Sequence, residues 1–151
     1  MKRFRFTLRP VATMRAHRQL LAREALAAAA VAQRRGEERL AAVRGRITEL
    51  EDIIRLSRQG SFRAAEAAAF GQAYRRERAA ETDAQKQVAA ARAAVETRRE
   101  ACVEANRQLE VVVHLEEKAR TAHQREAQRV EQAEIDEIAG QRAMRLRQAF
   151  P

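Results

Sequence analysis

The chain has no tryptophan, one cysteine, two prolines and five glycines in 151 residues, and aromatics make up only 4% of it. Each shortage excludes something. A lone Cys102 can form neither an internal disulfide nor a paired-cysteine zinc site. Prolines at Pro10 and Pro151 alone leave the whole interior free of proline breaks. Glycines scattered singly cannot build a phosphate-cradling loop. No run approaches the roughly 18 apolar residues of a membrane span. The only apolar stretch, residues 26–32, lies too far into the chain and is too weakly hydrophobic for a secretory signal. The Arg-rich, acid-poor N-terminus has the composition of a mitochondrial transit peptide, but its pattern runs unbroken into the first long helical segment and is read as part of it.

What remains is alanine, arginine, glutamate and glutamine. Charged residues are 34% of the chain, and alanine supplies the largest share of the 46% counted as hydrophobic. This composition favours long helices, and alanine buries too little surface to fill a three-layer fold. A seam between two helices needs no more. The expected fold is all-α, an antiparallel coiled-coil hairpin that frays in part when no partner is bound.

Ser57, Arg58, Gln59, Gly60 and Ser61 mark the turn. Gly60 suits the left-handed conformation that closes a helix, and Ser61 suits an N-cap for the next. Before it, Phe4, Phe6 and Leu8 alternate with polar residues as an extended arm does, Thr7 is the candidate N-cap, and Pro10 falls in the first turn. Helix 1 is predicted over 8–57. Its stripe reads Val11, Met14, Leu21, Ala25, Ala28, Ala32, Gly36, Leu40, Val43, Ile47, Leu50 and Ile54, interrupted by Arg18. The step through Ala32, Gly36 and Leu40 is a stutter that predicts a nearly straight rod. Residues 58–72 are predicted as turn with room for a short separate helix broken at Gly71, and helix 2 as 73–147. Folding about residue 59 sets alanine-rich 25–32 against 86–93. Helix 2 carries Val88, Ala91, Val95, Cys102, Ala105, Leu109 and Val112 at heptad-like spacing. Helix 1 is then exhausted near Leu109, leaving the longer C-terminal helix to overhang from about residue 110.

The formal charge of +9 is concentrated at one end. Residues 1–35 hold nine bases, Arg3, Arg5 and Arg9 among them, against the single acid Glu24. Such an end suits an acidic protein surface, a nucleic acid or an anionic membrane. Chemistry is harder to find. His17, His114 and His123 are scattered without metal-ligand spacing, the carboxylates alternate with arginine as on a solvated helix face, and two helices offer no water-excluding pocket. The reading is a non-enzyme with no cofactor or metal, in which Cys102 is a small seam residue.

The two ends carry a resemblance. Phe4-x-Phe6-x-Leu8 with Met14 and Arg15 leads into an alanine-rich helix. The close, residues 131–139 (EQAEIDEIA) followed by Arg142, Met144 and Arg145, is more specific. Together with length and hairpin layout these residues resemble the flagellar export protein family FliJ. The resemblance implies a cytoplasmic coiled coil similar to the central stalk of rotary ATPases. Its implied partners are the hexameric export ATPase, the cytoplasmic domain of the export gate and export chaperones, which would hold it peripherally at the cytoplasmic face of the inner membrane. The family's gate-binding surface lies mid-hairpin, where Val43, Leu50, Phe70 and Tyr74 are the candidates from expected exposure; Phe70 and Tyr74 serve equally as packing at the tip. In the tail, Ile135, Asp136, Glu137, Ile138 and Arg142 are candidates for binding a partner, or Ile135 and Ile138 for a self-association seam. Three alternatives stay open: the equivalent stalk of a virulence secretion system, a nucleic-acid-binding arm using Arg3, Arg5 and Arg9 on phosphates, and a homodimeric scaffold whose overhangs pair. No nucleic acid is expected, because no groove-reading motif accompanies the basic arm.

Overall fold

A computed structural model describes residues 3–60 and 63–149, with side chains followed to Arg145 in the last helix. Two helices make up the fold, α1 over Arg9–Ser57 and α2 over Ala64–Ala149, packed together as an antiparallel hairpin with no strand among the described residues. The second helix passes through Gly71 without a break. No separate short helix forms there, because the alanines around that glycine keep propagation favourable.

The start of α1 lies one step beyond the expected cap. Leu8, not Thr7, offers the first helical carbonyl, accepting from the Ala12 amide at 3.0 Å. Pro10 still sits in the first turn, where no intrahelical donor is required of it. At the other end the helix closes by tightening. The Gln59 and Gly60 amides donate to the carbonyls of Leu56 and Ser57 at 3.1 and 3.3 Å, and Ser57 Oγ donates to Ile54 O at 2.8 Å. These three-residue steps satisfy the last carbonyls without a left-handed residue. Gly60 accordingly has no positive φ, contrary to the expectation for it. The Arg63 carbonyl takes the first bonds of α2, and the expected cap Ser61 lies outside the described residues.

Residues 19–104 form one compact unit. Its core is the seam of buried Gly36, Val43 and Ile47 on α1 against Val88 and Cys102 on α2, the four side chains 4–8% exposed. Below Gly36 the seam departs from the predicted stripe. Ala22, Ala25, Leu26, Ala29 and Gln33 are the half-buried residues, while Leu21, Ala28 and Ala32 face solvent. The stutter is therefore absent and the three-four alternation continues, which removes the reason to expect little supercoil. An all-apolar template failed because the seam admits a polar residue. Gln33 enters it and donates to Glu37 Oε1 at 3.1 Å, and Glu37 in turn accepts from Arg92 at 2.8 Å.

The cross-helix pairs fix the register. Gly36 lies against Val88, Arg44 meets Glu81, Arg46 meets Glu77 and Glu51 meets Tyr74. Residues 25–32 consequently face α2 about half a dozen residues beyond the predicted 86–93. The hairpin folds later than residue 59 because the connection runs on to Arg63 before α2 begins.

The second unit joins residues 1–18 to residues 105–151. Val112, 2% exposed, is its most buried apolar side chain. Arg15 occupies a seam position here, half-buried, with its guanidinium donating to Gln108 O at 2.7 Å. Met14, expected in the seam, is 45% exposed beside it. The long arginine stem covers apolar surface while its head satisfies a backbone acceptor, a role that thioether could not fill.

Candidate functional site

The described residues hold no group of three His, Cys, Asp or Glu placed to bind a metal, and no helix long and apolar enough to cross a membrane. Three candidate binding surfaces follow from the fold.

The first is the N-terminal arm. Residues 3–6 alternate exposed and half-buried, with Arg3 and Arg5 outward and Phe4 and Phe6 inward. Phe4 meets the His123 ring edge-on at 5.5 Å between centroids, and the Arg120 guanidinium lies 5.9 Å from the same ring. Aromatic and cation-π geometry of this kind anchors a short extended segment that has no hydrogen-bond ladder of its own. The arm thus covers part of α2 that the sequence assigned to the overhang. Glu116, Ala119, His123 and Ala127 are half-buried, so the uncovered segment starts after Ala127 rather than near residue 110. The clasp joins residues far apart in the chain, so no local pattern signals it and His123 stands in the sequence as an isolated histidine.

Close to the turn lies a second surface. Val43 was expected to be exposed there, but at 8% exposure it belongs to the core, seven residues after Gly36 and four before Ile47. Leu50, Phe70 and Tyr74 are half-buried. The Tyr74 hydroxyl donates to Glu51 Oε1 at 3.0 Å and accepts from Arg78 Nε at 3.0 Å, with the Arg78 guanidinium 5.3 Å from the ring centroid. Leu56 is 67% exposed.

The tail is the third. Every residue from 128 to 145 is exposed, including Val130, Ile135 and Ile138 at 50–53%. Ile135, Ile138, Ala139, Arg142 and Ala143 line one shallow groove along the helix. Asp136 and Glu137 lie off that face and accept from Gln132 and Gln141 of the same helix at 2.8 and 3.2 Å. Ile135 and Ile138, both 53% exposed, leave an apolar face open to water along this helix.

Residues 4–148 match the sequence profile of the flagellar FliJ protein family. The chain belongs to that family. FliJ proteins are non-catalytic components of the flagellar export apparatus, so this chain has a flagellar, export-related role in association with components of that apparatus. The match spans the arm, both helices and the tail, including the closing residues that first pointed to FliJ. No curated protein and no solved structure matches the chain.

Proposed function

We propose that this FliJ chain acts as a stalk-like coiled coil in the cytoplasm, binding the hexameric export ATPase through its uncovered tail and linking it to the cytoplasmic domain of the export gate and to export chaperones. The observation that carries this reading is the bare segment 128–145. It presents Ile135 and Ile138 to solvent although no other part of its own unit covers them, and it coincides with the family-like close of the chain. An amphipathic helix with apolar residues beside acids is the form of a helix that docks into a groove. The basic arm supports the same reading, since Arg3, Arg5 and Arg9 are all exposed and free to meet an acidic rim.

A gate contact would use Leu50, Phe70 and Tyr74 with the exposed Leu56; Val43 drops out because the seam occupies it. The test is stimulation of the purified export ATPase by the full chain and by an Ile135→Asp/Ile138→Asp variant. Loss of stimulation with an unchanged circular-dichroism melt is the expected result. Normal stimulation by that variant would move the ATPase contact away from the tail.

A further inference from the structure

Charge along the tail is arranged in two blocks on one edge of its apolar face. At about 100° per residue, Glu131, Glu134, Arg142 and Arg145 fall along the same edge, with Ile138 between the acidic and the basic half. Within the helix this order is unfavourable. Glu131 and Glu134 are like charges three apart, as are Arg142 and Arg145, and none of the four has an opposite charge three or four residues away. Among the described residues none of them forms an ion pair. The neighbouring acids Asp136 and Glu137 lie off this edge and accept from neutral glutamines of the same helix.

We infer that the tail face pairs with the same face of a second copy of this chain, antiparallel, about a two-fold axis at Ile138. In that register Glu134 lies opposite the second copy's Arg142 and Glu131 opposite its Arg145, and the two-fold repeats both pairs. Ile138 packs on its own equivalent, and Ile135 and Ala139 close the seam beside it. A uniformly acidic or basic partner would match only one half of the edge and repel the other. A parallel copy would set acid on acid and base on base. An acid-then-base edge is complementary to itself only when reversed, which is what a two-fold interface requires. The seam is short, so the association is concentration-dependent. It occupies the groove proposed for the ATPase, and the two engagements exclude one another, yet self-pairing rests on the charge order alone and stands whether or not that proposal does.

The experiment uses two full-length variants, Glu131→Arg/Glu134→Arg and Arg142→Glu/Arg145→Glu, in sedimentation equilibrium at low salt. The first has a wholly basic edge and the second a wholly acidic one. Each alone should self-associate about tenfold or more weakly than the wild type, while an equal mixture should form heterodimers at least about tenfold more tightly than either component. Since all four side chains are exposed, the circular-dichroism melt of both variants stays that of the wild type. A wild-type chain that remains monomeric at millimolar concentration, a variant that self-associates as the wild type does, or a mixture no tighter than its components would each overturn the inference.

Discussion

Glu81 accepts from two arginines, Arg44 across the seam at 2.9 Å and Arg78 on its own helix at 3.0 Å. These hydrogen bonds, Arg44 first, hold its carboxyl below the ordinary 4.5, and Glu37 is lowered likewise, by Arg92 first and then Gln33. A carboxyl whose folded pKa is depressed adds stability at pH values above its unfolded pKa and loses it as pH falls through the folded value. The melting temperature should therefore be level from neutral pH down to about 5 and decline below that, and a Glu37→Gln/Glu81→Gln variant should show a shallower decline in a pH series of thermal melts. Apolar positions give a larger effect. Ile47 is 5% exposed, and Ile47→Asp should cost about 3 kcal/mol or more in urea unfolding because the carboxylate gains no partner in the seam. Two glycines earlier in the same helix respond in opposite senses. A Cβ on Gly45 would meet nothing within 4 Å, so Gly45→Ala should stabilise by about 0.5–1 kcal/mol, whereas a Cβ on Gly36 would already stand 3.4 Å from Val88 and Gly36→Leu should force the helices apart.

Between elements, the arm of residues 3–8 decides how much of α2 is covered. Deleting everything after Ala127 should leave the melting temperature nearly unchanged, while deleting everything after Leu109 should lower it, because the second cut removes Val112 and the surface on which Phe4 rests. Phe4→Ala should raise amide exchange around 116–123 and leave 77–102 protected. Here the limits of the sequence are plain. The all-α hairpin, the long second helix and the seam from Gly36 to Ile54 were legible, since a three-four apolar repeat between Leu40 and Ile54 admits little else. Positions below Gly36 were misread because Arg15 and Gln33 pack in the seam through their stems and amides, and an apolar template passes over them in favour of Met14 and Ala32. Val43 was misplaced for a related reason. Its place in the apolar repeat, and not its nearness to the turn, decides its burial. The clasp of Phe4 on His123 had no local signal at all, and with it the extent of the uncovered tail stayed out of reach.

Charge acts over the whole molecule. A net +9 with nine of the bases in the first 35 residues should make association with an acidic partner fall steeply with salt, since exposed charges are screened beyond about 8 Å at physiological ionic strength. Reversing Arg3, Arg5 and Arg9 together should slow association with the export ATPase by about tenfold and change dissociation much less, as surface-captured binding rates across a salt series would show. Uniform rates from low to high salt would remove electrostatics from the encounter. The chain also lacks tryptophan and has one tyrosine. All of its tyrosine emission therefore arises at Tyr74, whose hydroxyl bridges Glu51 of the first helix and Arg78 of the second. A hydrogen-bonded carboxylate is an efficient quencher of an excited phenol, so separation of the helices near the turn would brighten the fluorescence. The protein carries its own optical probe of that end, and a partner gripping it can be watched without attaching a dye.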